Sequence, residues 1–197
     1  MNSIFAFAAM LAFIGVGAAL IYNRLVALRQ RRLDALSQID VQLRRRYDLI
    51  PNLVETAKGY LTHERETLTA VTEARAAASK AAGEVAASGG GATSMKALAG
   101  AEGLLAGALT RLLAVVESYP DLKASANMQQ LSEELASTEN RVAFARQAYN
   151  DSVRSYNTYR QAFPAILLAG NFGFEDATYL EFEGTEFKSA PKVSFTN

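Results

Sequence analysis

The stretch of this chain that comes nearest to chemistry is His63-Glu64-Arg65-Glu66. A zinc-protease helix begins in this way, but it needs a second histidine four residues after the first so that two imidazoles share one face. Position 67 is Thr67, and His63 is the only histidine. There is no cysteine, which removes thiol nucleophiles, disulfides and thiolate metal sites. With no cysteine and one histidine, dyads of the Ser–His or Cys–His type are nearly excluded. Gly89-Gly90-Gly91 followed by Lys96 lacks the Gly-Lys-Ser/Thr order and the preceding buried strand of a phosphate-binding loop, so it reads as a linker. The acid pairs Glu133-Glu134 and Glu181/Glu183 are what solvated helix and tail faces carry. No catalytic residue, metal site, cofactor or small-molecule substrate is assigned on these grounds.

Arg44-Arg45-Arg46 is the densest charge cluster. Successive helical residues point about 100° apart, so the three cannot make one flat nucleic-acid patch. Asp40 stands four residues before Arg44, an order that suits an i,i+4 ion pair, and Asp48 is within reach of Arg44 or Arg45. The arginines are therefore expected on polar faces of the helix, flanking the apolar positions Tyr47, Ile50 and Val54. Pro51 follows. Inside a helix, proline removes one donor and crowds the carbonyl four residues back, that of Tyr47. It can open a second helix or bend a continuous one. The apolar seam keeps its phase across it (Leu43, Tyr47, Ile50, Val54), which favours the bend.

These residues have to be positioned by helices. The chain has 197 residues, half of them apolar, with 20 basic and 20 acidic side chains, a globular balance that offers nucleic acid no net attraction. The first 23 residues form a separate unit. Ser3 to Tyr22 carries no charge, and twenty helical residues span about 30 Å, the thickness of a bilayer's hydrocarbon core. Ile4, Phe5, Phe7, Leu11, Phe13, Ile14, Val16, Leu20, Ile21 and Tyr22 supply its apolar surface. No basic residue precedes the run, and Leu20-Ile21-Tyr22 stands where a signal peptidase would want small residues, so an uncleaved anchor is expected. Arg24, Arg29, Arg31 and Arg32 follow at once. The positive-inside rule then puts the body in the cytoplasm, at the bacterial inner membrane, with the N-terminus outside; a periplasmic body is the alternative.

From 24 to 164 the pattern is all-α. Leu36, Leu43, Tyr47, Ile50, Val54, Ala57, Leu61, Leu68 and Val71 form one seam of a helix expected to run from the membrane to about Ala82. A flexible glycine-rich linker near 83–94 ends it. A shorter helix from about Met95 to Ser118 carries Leu98, Leu104, Leu105, Leu109, Leu112, Leu113 and Val116, and stops before Pro120. The last long helix is expected from Ala126 to Ala162, with Met128, Leu131, Leu135, Val142, Ala145, Tyr149, Val153, Tyr156 and Phe163 facing the core. Within it, Tyr149-Asn150 recurs seven residues later as Tyr156-Asn157, an echo expected where one helix face meets a partner in register. Residues 165–197 read as an extended, aromatic and acidic tail. The fold class is thus a transmembrane helix, an antiparallel three- or four-helix bundle and an extended tail.

The strings "YNRLVALR", "SQIDVQLRRRYDLIPNLVETAKGYLTHE", "SYPDLKAS", "LASTENRVAFARQAYNDSV", "FPAILLAGNFGF" and "PKVSF" make the chain resemble the LemA family, collinearly from Tyr22 to Phe195. A weaker likeness is to proteins implicated in forming the magnetosome membrane. The resemblance implies a bacterial single-pass membrane protein with a helical body, and carries over no catalytic residue. Candidate interaction residues are Asp40, Arg44, Arg45, Arg46, Tyr47, Pro51, Asn140, Arg141, Tyr149, Asn150, Tyr156, Asn157, Phe172 and Phe174. The expected partners are the lipid bilayer and further copies of the chain, with no nucleic acid. The expected function is a self-associating, non-enzymatic scaffold that organises membrane, or else an accessory partner of an envelope enzyme such as a membrane protease.

Overall fold

The computed structural model describes residues 2–61 and 63–182, so Glu183 and the rest of the predicted tail lie outside the described residues. The described elements are α1 (Asn2–Lys58), α2 (Arg65–Ser88), α3 (Ala92–Glu117), α4 (Pro120–Lys123), α5 (Ala126–Gln161) and α6 (Ala165–Ala169). α1 packs along α5 and against α2, and α2 packs on α3. Arg32 of α1 meets Gly89 at the end of α2, while Tyr47 meets Arg75 nearer its start, so α1 and α2 run antiparallel.

The expected single helix to Ala82 is two helices. α1 ends at Lys58, where the amides of Tyr60 and Leu61 both donate to the Ala57 carbonyl at 3.0 and 2.9 Å, and the chain turns back before Arg65. Leu61 is buried in that turn, and Leu68 and Val71 line the inner face of α2. All nine seam positions from Leu36 to Val71 are buried. They belong to two antiparallel helices and, for Leu61, the turn between them, all facing one core, which is why their phase concealed the reversal.

Pro51 lies within α1 and does not interrupt it. The Tyr47 carbonyl, which the proline deprives of its helical donor, accepts a bond of 2.7 Å from Nε of Arg75 in α2. A defect of one helix thus becomes a tie to the next. The glycine run also differs from expectation. α2 continues to Ser88, and only Gly89-Gly90-Gly91 turns the chain. Gly90 has a φ of +88°, and a Cβ there would lie 3.2 Å from the Tyr149 hydroxyl and 3.3 Å from Arg32 Nη1. This is a fitted turn against α1 and α5.

One continuous core runs through α1, α2, α3 and α5. A second, smaller cluster of Leu25, Leu28, Tyr156, Ala169 and Phe174 closes the end from which the N-terminal part of α1 emerges. Two seam assignments fail. Leu104 is 70% exposed, on the outer face of α3, and Phe163 is 80% exposed because α5 stops at Gln161. The tail, expected to be extended from 165, begins with the short helix α6 before extending from Phe174 to Phe182.

Candidate functional site

The repeated Tyr-Asn of α5 is a clamp for the C-terminal segment. Asn150 donates from Nδ2 to the Leu180 carbonyl at 3.1 Å and accepts from the Leu180 amide at 2.9 Å. Asn157 does the same with Ala177, at 2.9 Å in both directions. The hydroxyls of Tyr149 and Tyr156 donate to the carbonyls of Thr178 and Glu175, each at 2.8 Å. Each seven-residue step along α5 therefore matches a three-residue step along the tail. Seven helical residues rise about 10.5 Å, and three extended residues cover about 9–10 Å, so the two repeats stay in register. Seven residues also return the helix to within about 20° of the same face. The periodic echo in the sequence thus meets a partner in register, and the partner is the chain's own tail.

These four side chains bond to the tail's backbone and so read extended chain, while the buried side chains of Phe174 and Leu180 seat the segment on the core. Further contacts fix its ends. Arg160 donates from Nε to the Phe174 carbonyl at 2.5 Å and pairs through Nη1 with Asp176 at 2.6 Å. Arg146 lies over the Phe182 ring, 4.8 Å from its centroid. Burial pushes the Tyr149 and Tyr156 phenols above their ordinary range, with the guanidiniums of Arg32 and Arg160 pulling them partly back. Both tyrosines therefore remain neutral donors. At the clamp's first residue, Phe174 is buried edge-on to Tyr22, with ring centroids 5.6 Å apart, and Arg29 sits over it at 5.0 Å. Phe172 meets the same Tyr22 ring at 5.3 Å but is itself exposed.

The arginine triplet divides. Arg44 forms the expected i,i+4 pair with Asp40 at 2.8 Å, and Arg45 is exposed. Arg46 was expected on a polar face and is instead 5% exposed, paired at 2.8 Å with Glu102 of α3, which is 2% exposed. Tyr47 donates its hydroxyl to the other Glu102 oxygen at 2.5 Å. Burial raises the Glu102 carboxyl above its ordinary value, against the lowering effect of Tyr47 and Arg46. The Tyr47 phenol is pushed far up, first by burial and then by the Glu102 charge. Glu102 was legible in principle: it stands between Leu98 and Leu105 on the otherwise apolar seam of α3, where a carboxylate requires a cation.

Arg46, Tyr47 and Glu102 bond to one another in the buried core, with Nε of Arg46 left without a partner. A cleft of about 270 Å³ between α1 and α2 is lined by apolar groups such as Leu36, Ile39 and Val85, with Asp40 as its one titratable side chain. Among the described residues, no three His, Asp or Glu side chains converge as a metal site would require. His63 is exposed in the turn after α1, Pro51 is exposed on α1, and Asn140 and Arg141 are exposed on α5.

At the other end, Asn2 to Tyr22 continues α1 beyond the bundle, and its most apolar window is wholly unburied. Ile4, Phe5, Phe7, Leu11, Phe13, Ile14, Val16 and Leu20 are each more than half exposed, which suits a helix solvated by lipid. α3 is also long and apolar enough to cross a membrane, but it is packed into the body and holds Glu102 against α1.

The chain is similar to magnetosome protein MamQ 2 of Paramagnetospirillum magneticum, with 28% identity over 182 residues. It is likewise similar to magnetosome protein MamQ of Magnetospirillum gryphiswaldense, with 27% identity over 176 residues. The matches cover 81% and 80% of this chain, which spans 64% of the length of each of these relatives. The model of the LemA family matches residues 35–195, taking in the arginine triplet, Pro51, the clamp and the tail, and the chain belongs to that family.

Proposed function

We propose that this protein is a membrane-anchored, non-enzymatic scaffold that self-associates through its helices and tail. The observation that carries the reading is the clamp on α5, which holds residues 174–182 by their backbone. A site that reads main chain accepts the same segment from a neighbouring copy as readily as its own, at little change in contact energy. Arg29 and Arg146 flank the clamp at its two ends, and the tail's acidic residues Asp176 and Glu181 fit that basic border.

Residues 3–22 form the anchor, and the arginines that follow favour an N-terminus outside and a cytoplasmic body at the inner membrane. Relatives that are magnetosome proteins agree with a role in organising membrane. The test is sedimentation of the detergent-extracted full chain over a range of concentrations. Reversible association that weakens in Glu181→Lys supports the reading, and a strict monomer at every concentration refutes it. Recovery of one envelope enzyme from native membranes, with little self-association, would favour an accessory role instead.

A further inference from the structure

Around α6 the protein is built inside out. Ala165 and Ala169 are each 2% exposed and turn toward the body, while Ile166 and Leu167 are 53% and 61% exposed. Phe163 and Phe172, on either side, are 80% and 57% exposed. A helix lying against water hides its large apolar side chains and shows its small or polar ones. Among the described residues outside 4–22, the other large apolar side chains exposed to this degree are scattered singly over the body. Here four fall within ten consecutive residues.

The height of this patch identifies its occupant. Phe172 meets Tyr22, two residues before the first charge at Arg24, ring edge to ring face at 5.3 Å. Ala169 shares a buried cluster with Leu25, three residues beyond Tyr22, a step of about 4.5 Å along the helix. The polar zone of a bilayer is about 5–7 Å deep on each side of its hydrocarbon core. α6 therefore lies beside α1 at the depth where α1 leaves the hydrocarbon, and its apolar face continues the apolar surface of the anchor.

We propose that residues 163–172 form an interfacial wedge that seats in the leaflet around α1, so that the chain holds the membrane at two adjoining places. The proposal rests on the reading of residues 3–22 as the anchor. Phe163, Ile166, Leu167 and Phe172 enter the boundary between headgroups and acyl chains, and Ala165 and Ala169 let α6 lie close to the body. The ligand is the bilayer itself, recognised by apolar burial and not by a headgroup.

The chain has no cysteine, so single-cysteine variants of the full protein report one position each. Ile166→Cys, Leu167→Cys, Ile14→Cys and Leu104→Cys, spin-labelled and reconstituted in phosphatidylcholine–phosphatidylglycerol vesicles, are compared for collision with oxygen and with a water-soluble nickel chelate. The expected order of the oxygen-to-nickel ratio is Ile14 highest, Ile166 and Leu167 intermediate, and Leu104 aqueous. Depths of ~5–10 Å below the phosphates are expected at the two α6 positions. A deep Ile14 label with aqueous labels on α6 overturns the wedge and leaves the anchor standing. α6 labels shielded from both reagents would put a second copy on this face and also overturn it. An aqueous Ile14 label removes the anchor, and the wedge with it. Far-ultraviolet circular dichroism of each variant confirms that the helices are intact.

Discussion

Two of the polar devices that join elements of this molecule work in opposite ways. At the centre of the bundle, Arg46, Tyr47 and Glu102 join α1 to α3 by side chains alone, almost wholly out of water. Nearer the anchor, Asn150 and Asn157 join α5 to the tail through backbone groups at a half-buried surface. The central device demands particular partners, because a buried charge left alone is costly. The hydrogen bonds of the clamp demand only an extended chain, which Phe174 and Leu180 then seat on the core. One fixes which helices meet, and the other leaves open whose segment is held.

That comparison is broken most strongly at the centre. Glu102→Ala should cost about 3–5 kcal/mol in denaturant unfolding, since it strands the Arg46 charge. The double change Arg46→Met with Glu102→Leu should recover most of the loss, and a double variant as unstable as the single one would show that pairing is not what the centre contributes. Asn150→Ala and Asn157→Ala should each cost about 1–3 kcal/mol, felt locally. Hydrogen exchange of residues 175–182 should rise while the unfolding midpoint of the body barely moves; a global loss as large as that of Glu102→Ala would erase the distinction between the two regions.

Arg75→Met should cost about 1–2 kcal/mol by orphaning the Tyr47 carbonyl. In a Pro51→Ala background the cost should shrink, because residue 51 regains the amide that the carbonyl lacks. The smallest effect is a slope with pH. Glu102 binds its proton more tightly in the folded chain than at its ordinary value of 4.5. Its contribution to stability is therefore fully present below that value and lost as pH rises through the folded value. Wild type should gain on Glu102→Gln in acid and lose ground toward neutrality, as followed by thermal unfolding at a series of pH values.

Most of the helical framework was legible, because burial imposes a period. The seam from Leu36 to Val71 is buried throughout, and α3 and α5 begin and end within a few residues of expectation. The turn after Lys58 escaped because two antiparallel helices facing one core need no change of phase. Arg46 escaped because a charge among charges reads as exposed, and its partner lies 56 residues away. The Tyr-Asn echo announced a face that meets something in register. What it meets could not be read from α5, since its Tyr and Asn groups bond to the tail's backbone; the matching step of three in the tail, Phe174, Ala177 and Leu180, is too short to stand out as a period. Phe163 was misplaced because helical periodicity was carried past the end of α5.

α1 is one helix from Asn2 to Lys58, and at 1.5 Å per residue its 57 residues span about 85 Å. No loop separates the segment read as the anchor from the segment that builds the core. A body joined to its anchor in this way cannot tumble independently of it. Every copy in a membrane presents the same faces at the same height, and moves in two dimensions. Much of the translational and rotational entropy that two free proteins lose on meeting is then already spent before contact. For such a molecule even a weak face-to-face preference, shared by many neighbours, becomes a lateral order.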